Sequence, residues 1–130
     1  MNDDFFDRLR VTFPKMYDEA YDTWVDEGWH PILLNLSKQI QNHIDWMNRT
    51  EVVVPQVKVS QIKEKFGGLR FYYDGGDDKI DGMVRMAEMW AQCTCEMCGK
   101  PATKTTTGWI KTVCDEHFDE LESKKKALND

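Results

Sequence analysis

The sequence has no apolar run near the roughly 20 residues that a membrane-spanning helix needs, so no membrane partner is expected. Its opening, Met1-Asn2-Asp3-Asp4-Phe5-Phe6-Asp7, is acidic and lacks the basic and apolar regions of a signal peptide. A cytoplasmic location with reduced cysteines is therefore expected. Excess positive charge is missing too: the net charge is −6, which argues against general DNA coating. Catalytic signatures are also missing. There is no Gly-x-Ser-x-Gly, no phosphate-binding loop and no His-Glu-x-x-His. Ser37, Ser60 and Ser123 have no histidine at suggestive spacing. A non-enzymatic protein is the first expectation. A small nuclease-like enzyme using His30 or His43 is the weakest alternative.

What is present is concentrated near the C-terminus. Between Gln92 and Phe118, Cys95-x2-Cys98 and Cys114-x2-His117 are separated by a fifteen-residue spacer. Paired ligands across a hairpin-sized spacer make a tetrahedral zinc site. Gly99 lets the chain fold tightly behind the first pair. Cys114 and His117, at i and i+3, fall on one face of a starting helix. The expected unit is a treble-clef-like zinc finger with Cys95, Cys98, Cys114 and His117 as ligands. Cys93 competes with Cys95, but only the two-residue gap from Cys95 to Cys98 fits a knuckle. Four protein ligands leave no open position for water, so the zinc is expected to be structural. The alternative for these cysteines is free thiols or disulfides, and disulfides need an oxidising compartment.

The chain of 130 residues suits one α+β domain. Residues 1–92 form the helical and β-hairpin part, and residues 93–130 the zinc-finger subdomain with a C-terminal helix. A first helix is expected to Val11, capped by Asn2 or Asp3, with Phe5, Phe6 and Leu9 inward. A second should run from Lys15 to Glu27, with Tyr17, Ala20, Tyr21, Trp24 and Val25 on one face. The acidic side of this helix is a solvated face or, on a sharper reading, a phosphate mimic. Gly28 ends that helix and Pro31 opens the third. Leu33, Leu36, Ile40, Ile44 and Met47 give the third helix its period. Trp24, Trp29 and Trp46 are read as core or core edge, and His30 and His43 as packing or boundary residues.

After Asn48 the period changes to two. Val52 to Val59 reads as a strand with an edge proline at Pro55. Gly67-Gly68 reads as a hairpin turn, which pairs Lys65 with Arg70, Lys63 with Tyr72 and Ile62 with Tyr73. One face then holds Ile62, Phe66, Leu69, Phe71 and Tyr73, with Glu64 among them. The other holds Lys63, Lys65, Arg70 and Tyr72. That second face is either solvated and balanced by helix carboxylates, or a binding site for nucleic acid, a signalling nucleotide or an acidic partner. Asp74 to Asp78 is a turn and helix cap, not a calcium loop. A fourth helix spans Lys79 to Ala91. Met86, Met89 and Met97 fill gaps in or beside the core. The zinc hairpin turns at Thr107-Gly108. A last helix, Asp115 to Ala127, has acids early and lysines late, matching its dipole.

The segment Gly28-Trp29 with Ile32, Leu36 and Ile40, the hairpin string from Ile62 to Tyr73, and the terminal Cys-x2-Cys and Cys-x2-His pairs together resemble a group of small phage and prophage proteins. The likeness spans residues 25–118. It implies a phage-type accessory protein acting in the host cytoplasm. By analogy, it implies binding to a host protein, defence proteins included, that inhibits or redirects it.

Overall fold

The computed structural model describes residues 2–21 and 25–129. Its elements are α1 (Asn2–Thr12), α2 (Pro14–Tyr17), a 3₁₀ turn (Glu27–Trp29), α3 (His30–Met47), β1 (Lys58–Lys65), β2 (Gly68–Asp74), α4 (Asp78–Gln92), β3 (Lys104–Thr105), β4 (Thr112–Val113) and α5 (Asp115–Asn129). The class is α+β, with two two-stranded antiparallel sheets, β1-β2 and β3-β4, among the described residues.

The second helix is much shorter than expected. It stops at Tyr17, and the backbone N–H of Tyr21 donates to Ser60 O at 2.9 Å. Ser60 is the residue skipped in the β1-β2 ladder, so the bulge leaves its carbonyl to hold the incoming chain. Tertiary pairing overrides local helical period here. Tyr21 is 71 % exposed instead of inward. The expected cap side chains Asn2 and Asp3, and the helical reading through Asp22 and Trp24, lie outside the described residues.

The third helix follows its pattern. Pro31 sits in its first turn, and Ile32, Leu33, Leu36, Ile40 and Ile44 are buried. Ser37 is buried among them, bonded to Tyr17 Oη at 2.5 Å and donating to Leu33 O at 2.8 Å. Trp29 is fully buried, whereas Trp46 is 65 % exposed, against the expectation of a core-edge role. The run from Val52 to Val57 is not a strand, because β2 ends at Asp74 and offers it no partner. It is held by single bonds instead: Val54 N to Asn48 Oδ1 at 2.9 Å, and Gly76 N to Pro55 O at 2.9 Å.

The first hairpin turns at Phe66-Gly67, not at Gly67-Gly68. Both central residues have positive φ, 54° and 77°. The register is Lys65↔Gly68, Glu64↔Leu69, Lys63↔Arg70, Ile62↔Phe71 and Gln61↔Tyr72. Each strand has moved one place relative to the expected pairing, in opposite senses, so the faces are preserved although the partners change. Ile62, Leu69 and Phe71 go inward and are buried, while Phe66 leaves the inner face for the tip. Placing Ile62 against Phe71 closes the core under α3 and α4. On α4, Ile80, Val84, Ala87 and Ala91 are buried. Met86 and Met89 face outward at 65 % and 55 % exposure, so neither fills a core gap.

Candidate metal centre

The last third of the chain is built to bring four side chains to one point. After α4, Cys95 N donates to Lys100 O at 2.7 Å and Gly99 N to Cys95 O at 2.9 Å, which closes a knuckle. Gly99 holds φ 85°, a conformation that side chains resist. The short β3-β4 pair returns the chain, and α5 starts directly after Cys114. Phe118 N donates to Cys114 O, so His117 rises on the first turn beside Cys114. One ligand atom from each of Cys95, Cys98, Cys114 and His117 lies within 4.8 Å of all the others.

The separations fit an ion at the centre. Cys98 Sγ and Cys114 Sγ are 3.8 Å apart, and His117 Nδ1 is 3.3 Å from Cys114 Sγ and 3.6 Å from Cys95 Sγ. A regular tetrahedron with metal–sulfur bonds of about 2.3 Å and a metal–nitrogen bond of about 2.0 Å has edges of about 3.8 and 3.5 Å. All four cysteines are free. Cys93 is exposed and lies outside the group, so Cys95 is the one brought to the cluster. Burial raises the Cys95 thiol, but backbone N–H donation at Cys114, Met97 and Cys98 outweighs it and brings the group below the usual range. Burial and the neighbouring sulfurs push Cys98 up. Three converging thiolates repel one another, and a shared cation relieves that repulsion. The cluster can therefore hold a metal ion, and its soft donors disfavour calcium and magnesium.

Several residues that seat this unit carry no motif. The backbone N–H of Gly28 donates to Glu96 O at 2.9 Å, and Trp29 Nε1 to Thr94 O at 3.0 Å. A Cβ on Gly28 would lie 2.0 Å from Cys95 O. Gly28 is thus less a helix stop than the floor on which the knuckle rests. Glu96, between the knuckle cysteines, is 2 % exposed. Its carboxylate accepts from Lys111 Nζ at 3.0 Å and Thr112 N at 3.2 Å, and Lys111 also reaches Asp26 at 3.4 Å. Burial raises the Glu96 carboxyl above its ordinary value, with Lys111 opposing. Thr112 Oγ1 donates to Gly67 O at 2.6 Å, which ties the unit to the first hairpin's tip. The sequence signal for this seat was faint: one acid inside a knuckle, and one of three lysines in the acid-free spacer between Cys98 and Cys114.

Lys63, Lys65, Arg70 and Tyr72 share the outer face of β1-β2, as expected. The balancing carboxylate is absent there: among the described residues, no ion pair reaches Lys63, Lys65 or Arg70, whereas Lys58 pairs with Asp18 at 3.0 Å. Lys63 Nζ stands over the Tyr72 ring at 5.7 Å, and Lys65 Nζ over Phe66 at 5.8 Å. The two remaining histidines have local partners. His30 stacks on Phe5 at 3.8 Å and contacts Val25 O, and burial lowers its pKa. His43 Nε2 lies 2.8 Å from Asp77 Oδ2, and Asp77 caps α4 by accepting from Ile80 N.

Comparison with protein-family models, with curated proteins and with solved structures gave no match.

Proposed function

We propose that the chain is a non-enzymatic, zinc-stabilised binding protein of the phage accessory type, which engages and inhibits or redirects a host protein. The observation that carries the reading is the closed set of Cys95, Cys98, Cys114 and His117, four donors at tetrahedral spacing. Such a set saturates zinc and makes it a structural clamp. The order of knuckle, hairpin and helix start fits a treble clef. A protein partner is supported by the outer side of α3 and α4, where Ile32, Leu36, Met83, Met86, Ala87 and Trp90 line an apolar groove. Met and Trp at an exposed apolar patch are the residues that protein interfaces favour.

The test has two parts. Elemental analysis should give about one zinc per chain, and cobalt substitution should give the spectrum of a four-coordinate site, with three sulfur donors, one nitrogen donor and no exchangeable water. The partner captured from host lysate should be lost with Trp90→Lys while zinc content and folding stay intact. A five- or six-coordinate site, or capture unaffected by that variant, refutes the corresponding half.

A second reading is favoured by the cations of the β1-β2 face, which have no carboxylate partner among the described residues, with the exposed Tyr72 beside them. It takes the face as a site for nucleic acid or a nucleotide. Binding that weakens with salt, and further with Lys65→Ala or Arg70→Ala, supports it.

A further inference from the structure

The first hairpin's tip holds a residue poorly suited to the turn. Two-residue turns with both φ values positive favour Asn-Gly or Gly-Gly. Here the first position is Phe66 at φ 54°, where a bulky side chain is disfavoured. Phe66 is 72 % exposed, so little burial offsets the strain. Backbone strain held at an exposed position points to a role outside folding. Across from Phe66 stands Trp109, in the loop between β3 and β4, at 78 % exposure. Glu64, Lys65, Phe66, Gly108, Trp109 and Ile110 line a cleft of about 210 Å³. The two hairpins abut here, since a Cβ on Gly67 would lie 2.9 Å from Thr112 Oγ1.

We infer that this cleft is a base-stacking site: an unpaired nucleobase enters beside Phe66 and Trp109, and phosphates of the same strand lie along Lys65, Lys63 and Arg70. The inference rests on the nucleic-acid reading above and adds to it the recognition element, which that reading lacks. The cleft is below the roughly 300 Å³ at which small-molecule sites begin, so it takes one planar ring system and not a whole cofactor. Lys65 belongs to both the cleft and the basic face. From the Gln61–Tyr72 pair to Lys65 the row of cations and aromatics runs about 14 Å along the strands. Aromatic rings alternating with cations fit successive bases and phosphates of a single strand, whereas a duplex keeps its bases stacked out of reach. Glu64 accepts from Gly67 N at 2.7 Å and has lone pairs left for a base amino group.

The probe is a short fluorescein-labelled deoxythymidine single strand, titrated with the full zinc-loaded chain at several salt concentrations. Its affinity should fall with salt at a slope near −2, about 0.7 for each of three cations. Phe66→Asn and Trp109→Ala should each weaken it about 10-fold with the slope unchanged, the scale of one lost base–aromatic stack. Lys65→Ala and Arg70→Ala should each lower the slope by about 0.7. Phe66→Asn relieves the turn, so it keeps the fold and raises thermal stability. Aromatic variants that bind like the parent overturn the cleft while leaving the phosphate face standing. A duplex of equal length binding as tightly as the single strand also overturns base insertion. No binding of the single strand, or displacement by polyglutamate alone, overturns both.

Discussion

Gly28→Ala reads out the docking of the metal unit through the sign of its effect. Gly28 lies in a 3₁₀ turn, and its φ is not in the left-handed region. By backbone entropy alone, alanine there stabilises by about 0.4–1 kcal/mol. The structure predicts the reverse. The new Cβ would stand 2.0 Å from Cys95 O and 2.6 Å from Glu96 C. Both are backbone atoms and cannot rotate away, so the knuckle must move. Such overpacking costs about 1–3 kcal/mol. The displaced unit also weakens the bonds from Gly28 N to Glu96 O and from Trp29 Nε1 to Thr94 O, at about 1 kcal/mol each. Net destabilisation should be about 2–4 kcal/mol, or a fall in Tm of about 4 °C per kcal/mol for a chain of this size. Gly82→Ala is the control. It sits inside α4 with nothing within 4 Å of its Cβ, and should stabilise by about 1 kcal/mol. Urea unfolding of the protein with zinc added measures both. If Gly28→Ala is as stable as the parent or more so, the knuckle does not rest on residue 28.

Other outcomes follow from the same contacts. Cys114→Ser, or a strong chelator, should remove the metal and unfold the β3-β4 and α5 region, seen as lost hydrogen-exchange protection there, because site formation and folding share one free energy. Tyr17→Phe should cost about 1 kcal/mol in urea unfolding, since it removes the buried bond to Ser37 while Ser37 still has Leu33 O. The hydrogen bond from His43 lowers the Asp77 pKa. Its contribution is therefore fully present above the ordinary carboxylate value of about 3.9 and is lost as pH falls through the lower folded value. Asp77→Asn should flatten the acid limb of a stability–pH curve and leave the neutral region less affected. Phe66→Asn should raise stability by about 1 kcal/mol.

The α3 helix and the four-ligand cluster were legible because each rests on a strong local rule: a sustained helical period in one case, ligand spacing in the other. Phe66 shows where such rules run out. Gly67-Gly68 satisfied turn chemistry, yet the strands pair Ile62 with Phe71 and turn one residue earlier, with Phe66 at positive φ, where no local rule points. The stretch after Tyr17 kept a helical pattern but was claimed by Ser60, a residue far along the chain. Met86 and Met89 matched a gap-filling role by type, and only the packing of α4 on its neighbours shows them facing out. Glu96 was hard to read as a structural residue because its partner Lys111, and Asp26, the second carboxylate on that lysine, lie on two other segments.

The bond from the Trp29 indole to Thr94 bears on how this chain is divided in the laboratory. A fragment ending at Gln92 would leave a fully buried tryptophan without its acceptor and with one side uncovered. The larger piece would tend to clump in solution. The smaller piece, from Cys93 onward, would lose the glycine shelf beneath its first loop. Neither half should serve as a module to be grafted elsewhere, and activity mapped by truncation should report damage before it reports location.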